Sequence, residues 1–170
     1  MAKFNILITG PPASGKSTLL QEITKGKNIS GIITNEIRKD HERWGFFVAD
    51  VKTERHTIMA STDIRPAVVG KYGVDVFAFE KIAVPAIENG INDENAIIII
   101  DEIGNMELLS ERFKIVVEKA LETKRVLGTI SMKSRDDFVS KVKLRSDVRV
   151  YYLTPINHER VKEEITKSLS

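Results

Sequence analysis

The segment Gly10-Pro-Pro-Ala-Ser-Gly15-Lys16-Ser17 follows the apolar run Phe4-Asn-Ile-Leu-Ile8 and precedes a stretch with helical apolar spacing. A strand, a glycine-bounded loop and a helix in that order constrain the chain more than any other feature. The loop must wrap closely enough for successive N–H groups to converge on one phosphate, and glycine permits that approach. The following helix adds its positive end. Lys16 can then reach between the β- and γ-phosphates of a nucleoside triphosphate, while the Ser17 hydroxyl can take a Mg2+ position. The candidate nucleotide-binding residues are Gly10, Pro11, Pro12, Ala13, Ser14, Gly15, Lys16, Ser17 and Thr18. The plainer alternative, an ordinary turn containing glycine, leaves the strand-to-helix placement without a reason.

A second segment answers the first. Ala96-Ile-Ile-Ile-Ile100 is a continuous apolar run of strand length, suited to burial on both faces of a parallel sheet, and it ends in Asp101-Glu102. Acids at that point sit on the carboxyl edge of the sheet, where the phosphate loop is also delivered. Asp101 is therefore a candidate metal ligand with Ser17, directly or through water. Glu102 is the candidate catalytic group that positions or deprotonates an attacking water, with Lys16 stabilising charge. The alternative is that Asp101 caps a turn and Glu102 is solvated surface.

The chain has 170 residues, 42% hydrophobic and 29% charged, which is one domain (1–170) with a sizeable core. It has no cysteine, which excludes disulfides, thiolate nucleophiles and the usual zinc clusters. The N-terminal apolar stretch is too short for a signal peptide and no run reaches membrane-spanning length, so a cytoplasmic location without membrane contact is the default expectation. From Lys124 to Arg149 there are eight basic and three acidic residues, against a net formal charge of only +2 for the whole chain. Such a face could attract triphosphate or RNA, but the dispersed cations and few aromatic partners favour a solvated surface. Arg43-Trp44-x-Phe46-Phe47 offers a stacking platform or a core strand, and core strand is the preferred reading.

Turn signals divide the rest. A helix is expected from Lys16 to Thr24, burying Leu19, Leu20 and Ile23. Segments 31–37, 44–51 and 56–60 read as an antiparallel meander joined by short polar links. Residues 61–72 read as an irregular loop near the ligand, a candidate mobile segment. Asp75 should cap a helix burying Phe79, Ile82, Ala83 and Ile87, with a kink or fresh start at Pro85. A helix over 110–122, a strand over 125–131, a capping box at Ser134-Arg-Asp-Asp137, a strand over 148–153 and a last helix capped by Asn157, with an Ile156–Val161 staple, complete the chain. The fold class is α/β: a mainly parallel sheet with helices on both faces, extended by the meander.

The phosphate loop, Gly31-x-Ile33-Thr-Asn-Glu-Ile-Arg38, Arg43-Trp-Gly45-Phe, Val69-Gly-Lys-Tyr72 and above all Asp101-Glu-Ile-Gly-Asn-Met-Glu-Leu108 together resemble the THEP1-type nucleoside-triphosphatases. The resemblance implies a RecA-like P-loop fold and slow, Mg2+-dependent hydrolysis of several nucleoside triphosphates (ATP, GTP, CTP, UTP) to diphosphate and phosphate. Two positions depart from the family's pattern. Asn105 replaces a usual Lys, removing a cation beside the acidic pair, and Ala13 replaces a usual Gly, which predicts a negative φ there.

Two rival readings use the same loop. A small-molecule or nucleotide kinase suits the chain length, but an adjacent acidic pair at a strand end, with Glu102 placed to activate water, would waste triphosphate in one unless a lid excluded water. A GTPase-like switch would use Asp101-Glu-Ile-Gly104, yet there is no Asn-Lys-x-Asp segment to read guanine, so loose base specificity is expected. A transition-state cation is still needed. Arg38, Arg43, Arg65, Arg112 and Arg135 are all candidates, and a finger from a protein partner or a second copy is the alternative. His41, His56 and His158 lack metal-ligand spacing and are assigned no chemistry.

Overall fold

The computed structural model describes residues 4–170. In chain order the elements are β1 (Asn5–Thr9), α1 (Lys16–Thr24), β2 (Ile29–Lys39), β3 (Glu42–Asp50), β4 (His56–Ser61), β5 (Gly73–Val74), α2 (Val76–Asn92), β6 (Ile97–Ile103), a 3-10 turn (Glu107–Leu109), α3 (Glu111–Glu122), β7 (Val126–Ile130), α4 (Asp137–Lys143), β8 (Val148–Tyr152) and α5 (His158–Leu169). All eight strands form one sheet in the order β5-β4-β3-β2-β6-β7-β1-β8. The strands from β2 to β8 in that order run parallel, and β3, β4 and β5 continue the sheet antiparallel. The expected α/β class and meander are both present, with one refinement. β2 belongs to both parts, pairing with β6 on one edge and β3 on the other.

Two-residue alternation sorts the core into two layers. Ile6, Ile8, Ile99 and Leu127 face α1 and α5, meeting Leu19, Leu20, Ile23, Val161 and Ile165. Leu7, Ile98, Ile100 and Val126 face the opposite way and meet α2 and α3, where Phe79 and Phe113 pack edge to face at 5.2 Å. Burying each such Ile stabilises the fold by about 2 kcal/mol. Arg125, read as part of a basic face, instead donates to the carbonyls of Gly90 and Ile91 in the last turn of α2 and of Asp93 and Ala96 in the link to β6, satisfying among them groups that a helix terminus leaves open.

Helix ends correct several expectations. Asp75 caps α2 as read, accepting from the Ala78 N–H at 2.9 Å, but α2 runs unbroken through Pro85. The α4 cap is Asp136, which accepts from Phe138 N–H, and not Ser134. Ser134 is drawn away because its hydroxyl donates to Asn105 Oδ1 at 2.6 Å. Asn157 does occupy the α5 cap position, but its side chain bonds Thr154 N–H and the Tyr152 carbonyl, bracing the preceding loop. The Ile156–Val161 staple does not form, since Ile156 is almost fully exposed. The segment 61–72 is irregular as expected, closed by a Val68 N–H bond to the Tyr72 carbonyl. The Arg65–Pro66 and Asp101–Glu102 peptide bonds are cis.

Candidate active site

The phosphate loop joins the carboxyl end of β1 to the amino end of α1. Gly10 has φ 155°, and a Cβ there would lie 2.5 Å from the Leu153 carbonyl oxygen, so no side chain fits. Ala13 takes φ 60°, against the expected negative value. The loop must turn left-handed at this position to bring its amides round, and the alanine adopts that conformation at a cost of about 1 kcal/mol. α1 begins at Lys16 behind Gly15, which as cap residue offers no side chain, and this leaves the first amides open to an anion. Ser14 Oγ is buried inside the loop without a partner. Lys16 Nζ folds back onto the carbonyls of Gly10 and Pro11, both at 3.0 Å. An orphaned hydroxyl, open helix amides and a cation held only by loop carbonyls are a donor set for phosphate oxygens.

Asp101 ends the parallel pairing of β6 with β2 and is nearly buried. β7 lies between β6 and β1, so its Thr129 hydroxyl can donate to Asp101 Oδ1 at 2.7 Å. Burial raises the Asp101 pKa, and the Thr129 and Ser17 hydroxyls and Lys16 oppose that rise. Glu102 is raised by burial and by Asp101, with Lys16 opposing. A third acid, Glu107 in the 3-10 turn, is buried and pushed well above the usual carboxylate range by burial and then by Glu102. Ser17 and Asp101 are hard oxygen donors that fit Mg2+, an ion that typically takes one or two protein oxygens beside substrate phosphates and water.

Lys16 and Glu102 line one cleft of about 300 Å³ together with Gly10, Arg43, Phe46 and Lys133. Glu102 also lines an adjoining recess of about 220 Å³ with Glu107 and Asn105. Gly10, Pro12, Lys16 and Glu102 share the first cleft, Ser17 and Asp101 line another cavity together, and Thr18 is exposed on the first turn of α1. Of the five candidate arginines, Arg43 alone lines the cleft among the described residues. Arg38 is held by Glu36 and the His41 carbonyl, Arg65 and Arg112 are exposed, and Arg135 lines a separate recess. The aromatic run of β3 is mixed. Phe46 packs edge to face on Tyr72 at 5.3 Å, while half-buried Trp44 carries Lys39 over its ring at 3.6 Å and donates to Asp63.

Thr129, Glu107 and Lys133 were not singled out from sequence. Thr129 had a signal, a hydroxyl in the otherwise apolar Val126-Leu-Gly-Thr-Ile130. Glu107 also had one, since it lies in the Asp101-Glu-Ile-Gly-Asn-Met-Glu-Leu108 block that carries the family resemblance. A cavity of about 660 Å³ lies on the flank of α1 beside the meander, lined by Ile33, Phe47 and Ile58 and also by Ser17 and Asp101. No helix among the described residues is long and apolar enough to cross a membrane.

Comparison with known proteins agrees with this geometry. A family profile described as NTPase matches residues 5–166. The nucleoside-triphosphatase THEP1 of Thermotoga sp. (strain RQ2) is 40% identical over 166 residues, covering 96% of this chain and 94% of the relative. That of Methanothermobacter thermautotrophicus is 39% identical over 162 residues, covering 92% and 90%. The crystal structure of THEP1 from the hyperthermophile Aquifex aeolicus superposes with a TM-score of 0.84 at 32% identity, covering 95% of this chain and 96% of that one.

Proposed function

The chain belongs to the THEP1 nucleoside-triphosphatase family, and on that footing we propose that it hydrolyses ATP, GTP, CTP and UTP to diphosphate and phosphate, slowly and with Mg2+. The observation that carries the reading is the joint lining of one cleft by Lys16 and Glu102 beside a buried Asp101. Mg2+, held by Ser17 and Asp101, would neutralise charge on the β- and γ-phosphates. The loop amides and Lys16 stabilise the oxygens that gain charge as the bond to the leaving diphosphate breaks. Glu102 orients the attacking water and accepts its proton. Thr129 donates to the Asp101 carboxylate, which orients it and opposes the rise in pKa that burial causes. Broad base use is supported by the lack of any Asn-Lys-x-Asp segment. The uneven charge gives RNA little support as a partner, because Arg125, Lys143 and Arg145 are spent on internal contacts.

Phosphate release from the four triphosphates, with and without Mg2+ and with nucleoside monophosphate acceptors, tests this reading. Mg2+-dependent release, indifferent to acceptors and lost in Glu102→Gln while nucleotide still binds, is expected. Release that waits for an acceptor would overturn hydrolysis in favour of phosphoryl transfer to a nucleotide.

A further inference from the structure

β2 stops pairing with β6 at Ile33↔Asp101 but continues to Lys39. Six residues therefore run on beyond the acid, a span of about 20 Å. β3 returns along this extension after a two-residue turn, Asp40-His41, with φ 52° and 66°. Positive φ at both positions is the type I′ geometry whose twist matches a hairpin. The result is an antiparallel arm standing past the carboxyl edge of the parallel strands, beside the phosphate loop.

Arg43 sits near the start of the returning strand and lines the cleft with Gly10, Lys16 and Glu102. Its Nε donates to Glu36 Oε2 at 2.8 Å, and the guanidinium lies 5.8 Å from the Phe46 ring. Its two terminal nitrogens have no hydrogen-bond partner among the described residues. One edge of the guanidinium is anchored and the other is open, a fork matched to two phosphoryl oxygens. Lys133 also lines the cleft and is exposed like Arg43, but it makes no hydrogen bond or ion pair among the described residues that would hold it in place.

We propose that Arg43 is an arginine finger supplied in cis: the β2–β3 arm carries it to the γ-phosphate of the bound triphosphate, with Glu36 as the positioning residue. The inference rests on the hydrolytic reading above and adds the cation that reading lacks. It also dispenses with a finger from a partner or a second copy.

The test measures kcat and KM for ATP hydrolysis by the parent, Arg43→Ala, Arg43→Lys, Lys133→Ala and Glu102→Gln. Thermal unfolding of each variant guards against misfolding. Arg43→Ala is expected to lower kcat about 1000-fold with KM changed only a few-fold. Added guanidinium ion should restore part of that rate, which a merely structural role for Arg43 would not allow. Arg43→Lys should recover little, since an ammonium cannot reproduce the fork. Mixing Arg43→Ala with Lys16→Ala should restore nothing. Recovery on mixing would mean a finger in trans and overturn the proposal, as would a near-parental kcat in Arg43→Ala or a loss confined to Lys133→Ala. These failures leave the hydrolytic reading intact if the parent is active and Glu102→Gln is not. A parent that releases phosphate only with an acceptor removes that reading itself.

Discussion

The parallel and antiparallel parts of the sheet are covered differently. β1, β6 and β7 are packed on both faces, by α1 and α5 on one side and α2 and α3 on the other. β3 and β4 have α2 on one face only, and their other face opens into the apolar groove beside α1. The doubly covered part holds the phosphate loop and the buried acids, which need fixed positions and low dielectric to act on charge. The singly covered part reaches past the sheet edge and brings Arg43 and Phe46 to the same cleft. Rigidity and reach are thus assigned to different pairing modes: parallel strands are buried on both sides, while antiparallel ones tolerate a free face.

Glu102→Gln should have the largest effect, lowering kcat by about 100- to 10,000-fold without loss of stability. A variant that unfolds instead would show that the acid holds the parallel part together rather than serving chemistry. The pH dependence follows from the same group. Because its pKa is raised, the acid limb of kcat/KM should lie above the ordinary glutamate value of 4.5, activity falling as pH drops through it.

Next in size is the covered face. Phe79→Ala should cost about 3 to 5 kcal/mol in urea denaturation, since Phe79 is 1% exposed. Ile58→Ala, on the open face and 45% exposed, should cost about 0.5 kcal/mol or less. Comparable losses would mean that the groove is filled in solution, and the contrast between the two parts would fail.

Thr129→Val should cost about 2 kcal/mol, the worth of a buried hydrogen bond to a charged group. Losing that donor raises the Asp101 pKa further, so the acid limb of Mg2+ binding should move to higher pH. An unmoved limb would show that the hydroxyl does not oppose the rise in the Asp101 pKa.

Glu107→Gln tests the seam between the two parts. The raised pKa of Glu107 means that its contribution to stability is full below about 4.5 and is lost as pH rises through the higher folded-state value. The variant should therefore lose less thermal stability than the parent on going from acid to neutral pH; parallel curves would argue that Glu107 is not buried as an acid. The smallest effect is expected of Ala13→Gly, which relieves the left-handed alanine and should raise stability by about 0.5 to 1 kcal/mol. A loss would show that the loop gains more from restricting the unfolded chain than it spends on that φ.

Features with local causes were legible in the amino-acid order alone. The phosphate loop, the Ile-rich strand ending in Asp101-Glu102, the α1 boundaries, the Asp75 cap and the alternation of the meander each follow from spacing and turn chemistry within a few residues. Even the error at Ala13 was local, a preference overridden by the turn that the loop requires. Only the tertiary structure decided that β7 inserts between β1 and β6, setting Thr129 on Asp101, and that Glu107 is buried against Glu102. It likewise selected Arg43 from five arginines and took Ser134 and Asn157 from their expected caps. These depend on strand order, register and the length by which β2 outruns its partner. Such relations join residues far apart in the chain, so they are fixed by burial and pairing of the whole sheet and leave no mark in any short window.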